Sequence, residues 1–330
     1  MSASHGSPSP YTEIDLNYLI QSVGRTRSLS ARARRAFMAL LAAVAILGAG
    51  ASQAADPQVA AAGLQFPEGP IFVGNTLYFV DYSASSVFRL NGKKVEQVWH
   101  QDGCSANGLV SVPGGLLVAC YESGTVVRIS LDGKVEETIL ADDKGQPFIS
   151  PNDLTSDARA GVYFSGSGSE SALGKVYYRS TDGRVRVVAT NIRYANGLAV
   201  APDGKTLYLA ESAANRLLAF SISADGGLGA PREFVKLRDI LSVPGESTFT
   251  PDGVRVDSDG NLFVGLYRGG GIAVISSDAK LLRFVRLPGA HHANLVISPD
   301  RRTVFVTSTD EQSDGSYRGE LLAVPNPIGP

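Results

Sequence analysis

The chain has 330 residues, and its 30 basic and 32 acidic side chains nearly cancel, leaving a formal net charge of −2. Such a chain, without a basic stripe, is a poor nucleic-acid binder, because it has no run of cations to displace the counterions of a phosphate backbone. Its two cysteines are not at the spacing of a metal site, and no heptad or low-complexity run is present.

Residues 1–55 differ from the rest. Arg25, Arg27, Arg32, Arg34 and Arg35 form a basic run, Phe37 to Gly50 is uncharged and apolar, and Ala51 to Ala54 offers small residues for cleavage. That order predicts a secretory signal peptide cut near Ala54. Arg34-Arg35-Ala36-Phe37-Met38 resembles a twin-arginine export signal, with the general secretory route as the alternative. An uncleaved anchor is the competing reading, but the apolar run is short and rich in Ala and Gly against the ~20 residues a span needs. The expectation is a periplasmic or secreted protein with no stable membrane insertion after cleavage. Residues 56–330 then form the folded unit, with a net charge of about −5.

From Glu68 onward the chain repeats one pattern. An acidic or amide residue opens an alternating strand, a tight turn follows, and a second apolar strand returns. Glu68-Gly69-Pro70 leads to Thr76–Val80, Asn107-Gly108 to Leu116–Ala119, and Asn152-Asp153 to Val162–Phe164. Asn196-Gly197 leads to Thr206–Leu209, Asp252-Gly253 to Leu262–Val264, and Asn294 to Thr303–Val306. Successive openers are 39 to 56 residues apart. Repeats of roughly 40–50 residues with about four strands each are the signature of a β-propeller. The expected fold is therefore all-β, a six-bladed β-propeller preceded by an export signal. Asn91-Gly92, Asp132-Gly133 and Asp182-Gly183 read as outer hairpin turns, where both central residues need positive φ. Cys104 and Cys120 flank one hairpin and are either a disulfide or two separate thiols. Leu237 to Leu241 reads as a helical turn in the longest gap. The last repeat lacks its outermost strand, and Gln58–Leu64 is expected to supply it and close the ring.

In a propeller the first strand of each blade lies nearest the axis, and all first strands start at the same mouth. The topology therefore gathers Glu68, Asn107, Asn152, Asn196, Asp252 and Asn294 in one ring. The ends of the second strands, among them Tyr82, Tyr121, Ser212, Tyr267 and Arg268, return to the same mouth. Asn and Asp also open strands as ordinary turn chemistry, so Asn107, Asn196 and Asp252 have that simpler reading too. Carboxylates converging with amides repel unless a cation compensates them, and oxygen donors suit Ca²⁺ or Mg²⁺, with Zn²⁺ or Mn²⁺ as alternatives.

These motifs, in this order and at blade spacing, resemble the senescence marker protein (regucalcin), gluconolactonase and luciferin-regenerating-enzyme family of six-bladed propeller hydrolases. The resemblance runs from about Leu64 to Val324. It implies a divalent metal held by Glu68, Asn196 and Asp252, with Asn152 beside it contacting metal or substrate, and Asp252 as catalytic acid/base. It also implies hydrolysis of a small-molecule lactone or ester. One departure stands out. Sugar-lactone members carry an arginine two residues before the asparagine matched by Asn152, where this chain has Ser150. Further candidate substrate contacts are Asn107, Arg268, Tyr121, Glu170 and His292. Two other functions stay open: a non-catalytic ligand- or protein-binding propeller, and a metal-dependent phosphotriester hydrolase. Retention of Glu68, Asn196 and Asp252 together favours an enzyme over a degenerate binder.

Overall fold

The computed structural model describes residues 56–243 and 248–330, and the expected export signal over residues 1–55 lies outside these. The described chain forms six four-stranded antiparallel sheets. Blade 1 is β2 (Pro67–Val73), β3 (Thr76–Asp81), β4 (Ser86–Asn91) and β5 (Lys94–His100), and blade 2 is β6 (Ala106–Val112), β7 (Gly115–Cys120), β8 (Thr125–Ser130) and β9 (Val135–Ile139). Blade 3 is β10 (Pro151–Ser156), β11 (Val162–Gly168), β12 (Leu173–Arg179) and β13 (Val185–Ile192), and blade 4 is β14 (Ala195–Val200), β15 (Thr206–Glu211), β16 (Arg216–Ser221) and β17 (Arg232–Lys236). Blade 5 is β18 (Thr250–Val256), β19 (Leu262–Tyr267), β20 (Gly271–Ile275) and β21 (Leu281–Arg286). Blade 6 takes β22 (Leu295–Ile297), β23 (Thr303–Glu311) and β24 (Tyr317–Pro325) from the end of the chain, and β1 (Gln58–Leu64) from its beginning.

Each first strand lies against the first strand of the next blade, and β22 against β2, so the ring is closed. The expected closing strand is the one observed: β1 pairs antiparallel with β24, from Gln58 opposite Ala323 to Leu64 opposite Gly319. The apolar alternation of each blade is buried between blades rather than in one central core. Tyr78, Val80 and Trp99 of blade 1 pack with Leu109, Leu116 and Val118 of blade 2. Ala61 and Leu64 of β1 pack with Leu77, Phe79 and Leu321 across the closure. This leaves the axis itself free for polar side chains.

Local chemistry sets the hairpins. Between β18 and β19 the Asp257 carboxylate accepts from the Asp259 and Asn261 amides at 2.9 and 2.8 Å, and Gly260 takes φ +84°. The helical turn in the longest gap is Leu237–Ile240. Cys104 and Cys120 are joined as a disulfide, which braces the segment entering β6 against the end of β7.

Candidate functional site

The openers lie inside the first strands, not in turns, which removes the simpler turn reading of Asn107, Asn196 and Asp252. Their reach into the channel comes from a repeated irregularity. In blades 1 to 5 the register slips between Glu68 and Ile71, Ala106 and Gly108, Pro151 and Leu154, Ala195 and Leu198, and Pro251 and Val254. Such a bulge lifts a residue out of the ladder and re-aims its side chain. Glu68, Asn107, Asn152, Asn196 and Asp252 accordingly line one cavity of about 500 Å³.

The glycine after the opener serves this packing. A Cβ on Gly108 would sit 2.2 Å from the Asn152 carbonyl oxygen, and one on Gly197 2.3 Å from that of Asp252. The first strands approach so closely that no side chain fits between them. Blade 6 departs from the expected ring. Counting back from the regularly paired Leu109, Leu154, Leu198, Val254 and Leu295 puts Ala293, not Asn294, at the opener position. Asn294 stands level with Asp153, and the two bond alike. Each accepts from the next backbone amide (Leu295 at 2.9 Å, Leu154 at 2.8 Å), and each donates its own amide to a hydroxyl, of Thr307 or Ser165. The short apolar β22 begins only at Leu295, which hid the one-residue offset.

The two carboxylates share one electrostatic problem. Burial raises the Glu68 carboxyl well above its usual range, and the charges of Asp252 and Asp153 push it further. The Gly69 amide and the Asn294 side chain donate to it and pull the other way. Asp252 is pushed up to about 8, first by burial and then by Asp153, against a hydrogen bond from Asn196. The Asp252 side chain keeps some exposure to the open mouth, but protein surrounds it on its other sides.

The amides are oriented. Asn152 Nδ2 donates to Ser167 Oγ at 3.0 Å, which in turn donates to the Ala195 carbonyl at 2.9 Å. Asn196 Nδ2 donates to Ser212 Oγ at 3.2 Å, which donates to the Pro251 carbonyl at 2.6 Å. With each nitrogen committed to a serine, the oxygen is the atom left to offer a ligand. Among the described residues no three His, Cys, Asp or Glu side chains gather at metal-ligand spacing. The donors on offer are two carboxylates and two amide oxygens, an all-oxygen set that fits a hard divalent cation better than a thiolate-seeking one. A cation there would also relieve the repulsion that raises Glu68.

Asp153 is fully buried and does not join this set. Arg255 reaches it from blade 5 and forks onto both carboxylate oxygens at 2.8 and 3.3 Å. The sequence reading missed both residues, since they lie 102 positions apart. It also missed Phe66, Tyr194 and Tyr317 in the cavity wall. Phe66 and Tyr194 each stand two residues before an opener, the place where Ser150 was noticed, and that position was the available signal.

Tyr121 and Asn107 do line the cavity. Three expected contacts do not. Glu170 is exposed in the turn between β11 and β12. Arg268 is exposed just past β19 at φ +57°, with its guanidinium over the Tyr267 ring at 5.9 Å. His292 is fully buried, its Nε2 bonded to the Pro288 carbonyl at 2.9 Å, and burial pushes it down to about 4. Neither histidine of the pair lines the mouth; His291 stacks behind Tyr267 with centroids 4.2 Å apart.

Residues 66–310 match the SMP-30/Gluconolactonase/LRE-like region family. A lactonase drp35 from Staphylococcus saprophyticus is 27% identical over 278 residues, covering 78% of this chain and 82% of that protein. A gluconolactonase from Zymomonas mobilis is 27% identical over 287 residues, covering 76% and 78%. Among solved structures, a calcium-binding protein, regucalcin, from Agrobacterium tumefaciens superposes with a TM-score of 0.66 at 18% identity, covering 84% and 97%, a likeness of fold.

Proposed function

The chain belongs to the SMP-30/gluconolactonase/LRE-like family, and on that premise we propose that it is a divalent-cation-dependent hydrolase of a lactone. Relatives named lactonase and gluconolactonase support the reaction class. The observation that carries the reading is the convergence of Glu68 and Asp252, from blades 1 and 5, in a cavity whose lining includes no Lys, Arg or His. Glu68, Asp252 and the oxygens of Asn152 and Asn196 would hold the cation. Bound there, it supplies Lewis acidity toward a lactone carbonyl. Glu68 serves as anchor. Asp252 at the rim takes a proton from the attacking water as its oxygen bonds to the carbonyl carbon. The ring C–O bond then breaks, and Asp252 returns that proton to the leaving alkoxide. The products are a hydroxyl and a carboxylic acid, which releases a proton near neutral pH.

That proton is the readout. Protein stripped of metal and reloaded in turn with Ca²⁺, Mg²⁺, Mn²⁺ or Zn²⁺ is followed on a panel of γ- and δ-lactones. Metal-restored turnover is expected, and Asp252→Ala should reduce it by about 10²–10⁴-fold with the fold intact. Substantial turnover by a folded, metal-bound Asp252→Ala protein would remove Asp252 from its role. No metal binding at all would end the proposal.

A further inference from the structure

Above its polar floor the cavity has a wall of another character. Phe66, Tyr82, Tyr121, Tyr194, Tyr267 and Tyr317 line it. The Phe66 ring meets Tyr317 edge-on with centroids 4.9 Å apart and Tyr82 at 5.9 Å, and Tyr82 meets Tyr121 at 5.9 Å. The hydroxyls of Tyr121 and Tyr194 are 3.1 Å apart. These rings form one continuous collar from blade 6, through blades 1 and 2, to the segment entering blade 4. Tyr267 is fixed separately by its stack on His291.

Three of the five phenol hydroxyls of the collar already have partners. Tyr82 donates to Glu122 at 2.8 Å, and Tyr121 and Tyr194 share their own bond. These three residues then offer a ligand their ring surfaces and the one O–H of the Tyr121–Tyr194 pair that the shared bond leaves unused. No cationic side chain lines the cavity to take a carboxylate or phosphate.

Tyr194 carries a second signal. Its backbone is left-handed, at φ +65°, a conformation unusual for a bulky residue. The matching positions in blades 2 and 3, Ser105 and Ser150, are left-handed too, at φ +48° and +50°. The left-handed turn is thus shared by blades 2, 3 and 4, and blade 4 has it while carrying a large ring. Strain retained beside a site points to a use for the side chain. Here the ring spans the mouth from blade 4 to Tyr121 of blade 2, above the blade whose residue 150 is only a serine.

We propose that the site takes a neutral lactone bearing an apolar or aromatic substituent, with its carbonyl at the carboxylate–amide floor and the substituent against the collar, and that Tyr194 sets this preference. The proposal rests on the lactone-hydrolase reading above. A polyhydroxylated lactone suits the wall less well, because most of its hydroxyls would lose water and meet ring faces, with only a few phenol hydroxyls to bond. A cavity of about 500 Å³ has room for a ring with such a substituent.

The test compares two lactones of the same ring size, 6-phenyl-tetrahydropyran-2-one and glucono-δ-lactone, on metal-loaded protein. In parallel, calorimetry measures binding of the non-hydrolysable 6-phenylpiperidin-2-one and gluconolactam. The phenyl lactone should have the higher kcat/KM by about tenfold or more, mainly through KM, and the phenyl lactam should bind the tighter of the pair. Tyr194→Ser, which installs the residue found at the matching positions of blades 2 and 3, should lower that ratio by about tenfold by raising KM for the phenyl lactone. Tyr194→Phe should keep it, since the ring and not the hydroxyl is at work. Equal or greater turnover of glucono-δ-lactone overturns the proposal and leaves the lactonase reading standing. Tight phenyl-lactam binding without turnover of either lactone does the reverse. Neither binding nor turnover overturns both.

Discussion

Asp252 and Glu68 make the site expensive to fold without a cation, and that cost has a pH signature. In the unfolded chain both carboxyls titrate near pH 4. In the folded chain Asp252 is held at about 8 and Glu68 is also raised, by burial first and by neighbouring carboxylates second. Between these limits the folded state binds more protons than the unfolded one. The stability these groups contribute is therefore fully present below about pH 4 and is lost as pH rises through their folded values. Metal-stripped protein should lose stability between pH 5 and pH 8, by an amount on the order of several kcal/mol. Saturating Ca²⁺ should flatten the slope by compensating the ionised carboxylates, and Asp252→Asn should flatten it in the absence of metal. Thermal melts across that range decide the matter; a flat profile for stripped wild-type protein would contradict the electrostatic account. Asp153, which is fully buried beside them, has its compensating charge within the chain, in the Arg255 guanidinium 2.8 Å away.

At the scale of the strand, the bulge and the glycine behind it act as one device. The bulge turns the opener into the channel, and the glycine lets the next first strand come close enough to bring its own opener alongside. The period of the hairpins was legible in the sequence, and with it the six blades, the closing strand Gln58–Leu64 and the helical turn Leu237–Ile240. The device was not. Asn-Gly and Asp-Gly read as turn dipeptides because turns are their commonest use, and a one-residue slip in pairing leaves no mark on composition. The same slip misplaced Asn294 by one position. The collar was half visible: the returning ends of second strands pointed to Tyr82, Tyr121 and Tyr267, while Phe66 and Tyr194 come from the approach to first strands. Arg255 and Asp153 meet only through the closed ring, so no local pattern announces them. The device makes its own prediction. Gly197 is not in the left-handed region, so an alanine there meets no backbone strain, but it has no space, with the Asp252 carbonyl in the way. It should cost about 1–3 kcal/mol in stability and weaken Ca²⁺ affinity by shifting the strand that carries Asp252. Calorimetric titration of the folded variant checks this, and unchanged affinity would separate the glycine from the site.

For the whole molecule, the site depends on a ring that has no central core to hold it. Apolar surface is buried between neighbouring blades, so each blade is stable only against two others, and the sixth is assembled from both ends of the chain. Blade 6 stands between blade 5, which carries Asp252, and blade 1, which carries Glu68. Closure by β1 therefore fixes the separation of the two carboxylates as well as satisfying the outer edge of β24. Leu64 is the residue to probe, because it is buried against Leu77, Phe79 and Leu321, whereas Val59 on the same strand is 55% exposed. Leu64→Ala should destabilise the protein by about 2–5 kcal/mol, and Val59→Ala by less than about 0.5 kcal/mol. If closure and site are one cooperative unit, Ca²⁺ release and loss of β-structure in Leu64→Ala should follow a single curve in urea. Ca²⁺ released well before the circular dichroism changes would mean that the sixth blade opens by itself, and that the site, not the ring, is the weaker structure.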